Sequence, residues 1–134
     1  MSTVKWKKKK FSVERYERTA IKQGFYVNSA SKEFLLKYGG LNILEPGTKF
    51  HFDAIEAIRG ISSRTVNYYK QRLSAESLSV IGEDESFGEV LLTDSDGTMY
   101  SAFDDLLSML GKTGDDGIIN LCLRKKRKKI LDWE

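Results

Sequence analysis

The residues that could do chemistry are few. His51 is the one histidine and Cys122 the one cysteine. A zinc site would therefore have to rely on carboxylates, and no familiar ligand spacing is present. A Ser–His–Asp arrangement is formally open to any serine, but no strand–turn–helix nucleophile motif marks one. His51 lies between Phe50 and Phe52, so in a strand its ring points away from theirs, as a solvated or hydrogen-bonded histidine would. Gly39-Gly40 lacks the neighbours of a phosphate or dinucleotide loop. Asp94-Ser95-Asp96-Gly97 begins like a calcium loop, yet Met99, Tyr100 and Phe103 stand where oxygen ligands are required. That leaves a turn. Cys122, within the apolar stretch from Ile118 to Leu123, reads as a small buried hydrophobe. No catalytic, metal or cofactor site, and no site for a small-molecule substrate, emerges from these residues. They argue for a binding protein over an enzyme.

Charge is the stronger signal. The chain of 134 residues has 22 Lys and Arg against 19 Asp and Glu, a net +3. Half of the cations sit in two terminal runs, Lys5 with Lys7 to Lys10, and Arg124 to Lys129. Residues 11–123 carry a net −6, and residues 73–123 a net −10 with Lys112 as their lone base. Trp6 and Trp133 beside the basic runs could stack bases while the cations neutralise phosphates. Against this, cations after a helix complement its dipole, terminal runs are commonly solvated arms, and an acidic body repels nucleic acid. The partner expected of such a body is a basic protein surface, met through electrostatic docking.

The elements that must hold these charges follow from capping and periodicity. A helix is expected over 13–23, with Ser12 as N-cap, Val13, Tyr16, Ala20 and Ile21 as its apolar stripe, and Gly24 as its stop. A second runs from about Ala30 to Tyr38, capped by Asn28 or Ser29 and ended by Gly39-Gly40 in a left-handed conformation. Leu41–Leu44 reads as a strand, Glu45-Pro46-Gly47-Thr48 as a turn and Phe50-His51-Phe52 as extended. Short helices follow at 54–59 and 63–73, strands at 78–81 and 88–93, an Asp-Gly turn at 94–97 and a strand at 98–102. Helices at 104–110 and 116–123 complete the pattern. The mixture predicts an α+β fold, a mainly antiparallel sheet packed against several helices.

These elements also sort the acids. Asp94 and Asp96 serve the hairpin turn, while Asp104-Asp105 and Asp115-Asp116 fall at expected helix N-termini. Glu76, Glu83, Asp84, Glu85 and Glu89 have no such local role. Glu83, Asp84, Glu85 and Glu89, in a loop between two strands, are either a solubilising cluster or the partner surface, with Asp104 and Asp105 as neighbours in the second reading. Phe87 within it is either an aromatic anchor for that partner or a core residue.

Trp6, Gly24-Phe25-Tyr26-Val27, Phe34-Leu35-Leu36-Lys37-Tyr38-Gly39-Gly40-Leu41, Phe50-His51-Phe52-Asp53, Leu78-Ser79-Val80-Ile81-Gly82, Asp96-Gly97-Thr98-Met99-Tyr100 and Leu110-Gly111 together resemble the SUKH superfamily, in its third bacterial subfamily. The resemblance spans about residues 6–123. The sequence departs from that pattern at Lys8 and Lys10, where Pro and Arg are common, and at Val80, where Pro is. The resemblance implies one SUKH-like domain at 11–123, a basic segment at 1–10 and a basic extension at 124–134. It further implies a bacterial immunity protein that neutralises a cognate toxin domain, often a nuclease, by binding it. A scaffold without a toxin partner, or a nucleic-acid module using both basic ends, are the competing readings. The longest apolar runs are three residues, too short to span a membrane, no secretory apolar region follows Lys5, and one cysteine excludes a disulfide scaffold. A cytoplasmic location is expected.

Overall fold

A computed structural model describes residues 5–45, 47–123 and 128–129. The elements run β1 (Lys5–Lys8), α1 (Val13–Lys22), α2 (Ser29–Tyr38), β2 (Leu41–Glu45), β3 (Thr48–His51), α3 (Ala54–Arg59), α4 (Ser63–Leu73), β4 (Leu78–Asp84), β5 (Glu89–Asp94), β6 (Met99–Phe103), β7 (Leu106–Gly111), α5 (Gly114–Leu123) and β8 (Lys128–Lys129). The strands make one sheet in which spatial order equals chain order, every neighbouring pair antiparallel. Helices α1 and α2 are inserted between β1 and β2, and α3 and α4 between β3 and β4. This is the α+β architecture that the mixed periodicity predicts.

Capping starts the helices where the sequence places them. The side chains of Ser12, Asn28, Asp53 and Ser62 each accept an N–H from the first turn that follows. Gly24, at φ +88°, stops α1. Tyr16 and Ala20 of α1 are buried, and the Tyr16 hydroxyl donates to the Val80 carbonyl at 2.5 Å, tying α1 to the central strand β4. Ile21, placed on the apolar stripe by its spacing, is instead 60% exposed. The core also gathers Phe50, Phe52, Ile58, Leu78, Ile81, Leu91, Leu92 and Met99. Strands β4 and β5 are buried on both faces, which explains their continuous apolar runs.

Three expectations need correction. Residues 104–110, expected as a helix, form the β6–β7 turn and strand β7. The helical appearance comes from Leu107 and Leu110, both buried at an i, i+3 spacing. Register against β6 steps from Tyr100↔Met109 to Met99↔Gly111, so Leu110 is the extra residue of a bulge that resets the alternation. At the end of α2 the left-handed residue is Gly40 (φ +84°), whereas Gly39 is extended (φ −56°, ψ 134°). Gly39 is required for closeness instead: a Cβ there would overlap the Leu35 carbonyl and the Phe11 ring. Third, Lys5–Lys8 are no solvated arm but the edge strand β1, paired from Lys5↔Leu44 to Lys8↔Leu41. Of the basic extension at 124–134, all but Lys128–Lys129 lies outside the described residues, as does Pro46 of the β2–β3 turn. Gly47 of that turn has φ +80°.

Candidate functional site

Antiparallel register brings the expected acidic residues to one end of the sheet. Asp84 faces Glu89 across the β4–β5 hairpin, Val90 faces Ala102, and Phe103 faces Leu106 across the β6–β7 hairpin. The hairpin tips at 85–88 and 104–105 are therefore neighbours. The start of β3 reaches the same end, since Lys49 binds the first tip: Glu85 N–H donates to the Lys49 carbonyl at 2.8 Å, and Lys49 N–H to Ser86 Oγ at 2.7 Å.

The seven expected residues are not equivalent. Glu83 and Asp84 belong to β4 rather than to a loop. Asp84 is 3% exposed, and its carboxylate accepts the Ser86 N–H at 3.0 Å. It builds the turn and is withdrawn from any partner. Glu83 is half-buried, its Oε1 3.4 Å from His51 Nε2. His51 Nδ1 accepts the Asp53 N–H at 3.0 Å, which assigns the ring proton of the neutral histidine to Nε2 and makes it a donor to Glu83. His51 thus locks β3 to β4 and to the start of α3. Glu85 is exposed and pairs with Lys49 at 3.7 Å. Phe87, at the tip, is 53% exposed, and Glu89 is half-buried.

Asp104 and Asp105 sit on the second tip, not at a helix N-terminus. Asp104 adopts φ +54°, a left-handed conformation that Asp tolerates better than most residues, and its carbonyl accepts the Tyr69 hydroxyl at 2.9 Å. Asp105 Oδ1 accepts the Tyr68 hydroxyl at 3.0 Å and lies 3.5 Å from Arg72 Nη1. Helix α4 therefore buttresses this tip. Burial, with the Asp104 and Asp105 carboxylates nearby, holds the Tyr69 phenol above its ordinary range.

Two contributors escape the reading of the sequence. Phe103 and Leu106 flank Asp104-Asp105 and are about half exposed, at 50% and 51%. In the next cross-strand row Ala102 and Leu107 turn to the opposite face and are buried. Once 103–106 is recognised as a hairpin, alternation alone sends Phe103 and Leu106 outward; the helical assignment conceals it. The resulting end of the sheet carries Glu85, Asp104 and Asp105 around the half-exposed Phe87, Phe103 and Leu106.

Asp94, at the opposite end of β5, has structural partners. Asp94 Oδ1 accepts the N–H groups of Asp96 and Thr98, and its Oδ2 accepts the Tyr100 hydroxyl at 2.9 Å. Burial, then this bond, pushes the Tyr100 phenol up to about 12. The 94–97 segment is a hairpin turn, closed by Gly97 at φ +89°. Among the described residues no group of three His, Cys, Asp or Glu is placed to hold a metal ion, and no helix is long and apolar enough to cross a membrane. Cys122 is half-buried.

Searches of curated proteins and of solved structures find no match to the chain. The model of the SUKH-3 immunity protein family matches residues 4–124, nearly the whole sequence and every element from β1 to α5. The chain belongs to the SUKH-3 immunity protein family.

Proposed function

We propose that this immunity protein neutralises a cognate toxin domain by stoichiometric binding, and that the toxin is a nuclease. The family match over residues 4–124 carries the reading. The end of the sheet supports the choice of partner. Carboxylates of Glu85, Asp104 and Asp105 suit a cationic surface of the kind that grips phosphates, and Phe87, Phe103 and Leu106 supply apolar area that charges alone do not. The contact surface is the pair of hairpin tips, with Glu83 and Glu89 at its margin and Asp84 as its scaffold. The protein acts by occlusion, within the cytoplasm of the cell that makes the toxin.

The test uses toxin C-terminal domains from the source genome, each titrated with the full chain while nuclease activity is followed. One equivalent is expected to abolish the activity of the cognate domain. Residual activity of every domain at excess would overturn the reading. The double variant Glu85→Lys, Asp105→Asn is expected to slow association and flatten its salt dependence; unchanged kinetics would remove the hairpin tips from the interface.

A further inference from the structure

Strand β1 is an edge of the sheet, paired with β2 alone among the described residues. The Lys9 N–H donates to the Gly40 carbonyl at 3.0 Å, and in an antiparallel ladder such bonded pairs alternate with unbonded ones. The register carries the bonded set on through Lys7↔Asn42 and Lys5↔Leu44. The Phe52 N–H, on the Leu41 carbonyl at 2.9 Å, agrees with this, because it turns the polar groups of Leu41, opposite Lys8, toward β3. The N–H and C=O groups of Trp6 and Lys8 are therefore left pointing off the edge, with no strand to receive them among the described residues.

Side chains alternate across the same strand. Lys5 and Lys7 share one face with their cross-strand partners Leu44 and Asn42, and Leu44 is 54% exposed. Trp6 and Lys8 take the other face, where Trp6 stands opposite the buried Ile43 yet is itself 64% exposed. Lys8 is engaged, its ammonium donating to the Lys37 carbonyl at 2.8 Å. Lys5 and Lys7 are exposed and make no ion pair among the described residues. The edge thus offers the ammonium groups of Lys5 and Lys7 on one face, the indole of Trp6 on the other, and unpaired main-chain groups between them.

Unpaired N–H and C=O groups along an edge are satisfied by an added strand, which singles out extended polypeptide as the occupant. Lysine decides which polypeptide. A second copy of β1 would set lysine against lysine, since Trp6 is the one uncharged residue of the strand, and like charges facing across a ladder repel. An acidic strand reverses the sign. Carboxylates at alternate positions meet Lys5 and Lys7, while an apolar residue between them falls on the face of Trp6. Protection of the edge against aggregation explains the lysines but not Trp6, because an exposed indole on an edge favours pairing. We propose that β1 is an acceptor edge for an extended segment of another protein in which acidic and apolar residues alternate. It stands independently of the toxin reading.

The test is fluorescence anisotropy of a labelled peptide of about nine residues, alternating glutamate and valine, with the full chain at about 50 mM salt. Saturable binding is expected. The same peptide N-methylated at every residue, which cannot join a ladder, should bind about tenfold or more weakly, and so should one alternating lysine and valine. Lys5→Glu with Lys7→Glu should exchange the preference, so that the lysine peptide binds and the glutamate peptide does not. Trp6→Thr, which keeps the strand propensity, should weaken capture of the glutamate peptide about fivefold. These positions are exposed, so an unchanged urea midpoint serves as the folding control. Absence of binding to the original chain overturns the proposal. So does undiminished binding of the N-methylated peptide, which would mean attraction of charge without a ladder. Undiminished capture of the glutamate peptide by both variants would overturn it by placing the contact elsewhere. Sedimentation of the full chain as a dimer that Trp6→Thr dissolves would overturn it in favour of a second copy.

Discussion

The acidic end and the cationic edge of the sheet carry opposite charge, and they hold it differently. At the acidic end most carboxylates are already engaged. Asp84 accepts from its own turn, Glu83 faces His51, Glu85 faces Lys49, and Asp105 meets Tyr68 and Arg72. At the edge the main chain is fixed by the ladder while Lys5, Lys7, Lys9 and Lys10 project into solvent with no ion pair among the described residues. A count of formal charges ranks the acidic region as the stronger field. The structure shows that much of its charge is used in building turns, so the charge offered to a partner is smaller than the count.

The sharpest way to break this contrast is to detach the edge. Gly40 combines φ +84° with a main chain so close to Lys9 that a Cβ would overlap its carbonyl oxygen. Gly40→Val should cost about 4 kcal/mol or more, seen as loss of cooperative urea unfolding by circular dichroism. A stable Gly40→Val protein would mean that the lysine strand is not pinned as described. Next is Tyr16→Phe, which leaves the Val80 carbonyl without its buried donor and loosens the helix that carries Arg15. It should cost about 1–3 kcal/mol by the same measurement.

Effects at the acidic end should be smaller on stability. A Cβ added at Gly88, where φ is +66°, would meet nothing within 4 Å, so Gly88→Ala should cost only about 1–2 kcal/mol through backbone strain. Glu85→Lys with Asp105→Asn should change stability by less than about 1 kcal/mol, since exposed ion pairs contribute little. The same double variant should slow capture of the cognate toxin domain about tenfold at low salt, by stopped flow. The smallest effect belongs to a site outside both regions. The Tyr38 hydroxyl, 2.5 Å from Asp115 Oδ1, and then Lys37, hold the Asp115 carboxyl below its ordinary value of 3.8. A depressed carboxyl stabilises the fold above its unfolded value, and that contribution fades as pH falls through the folded one. Asp115→Asn should therefore make the protein slightly less stable at neutral pH, converge with the original chain at low pH once that carboxyl is protonated, and so flatten the acid limb below about pH 4.

Much of the fold was legible because its signals are local. Ser12, Asn28 and Ser62 mark helix starts that need only their own first turn, and Asp94 to Gly97 marks a hairpin by turn chemistry. Strand β7 was not legible, because the bulge at Leu110 imitates a helical spacing and is visible only opposite Met99 and Tyr100. The candidate site suffered from the same error. Reading 104–110 as a helix turned Asp104 and Asp105 into caps and hid Phe103 and Leu106. Asp84 and Glu85 are adjacent acids in sequence, yet one is buried in a turn and the other exposed, a difference set by which face of the hairpin each takes.

Residue type and short spacing were enough for the α+β class, the family pattern spread over nearly the whole chain, the lack of a recognisable catalytic motif, and the separation of basic ends from an acidic body. Each of these is a property of neighbours along the chain. Tertiary contacts alone made the two hairpin tips meet, withdrew Asp84 while Phe103 and Leu106 face outward, and turned the first lysines into an edge strand. Those outcomes depend on strand register, which joins residues tens of positions apart, and on the closeness of Gly40 to Lys9, which no local pattern encodes.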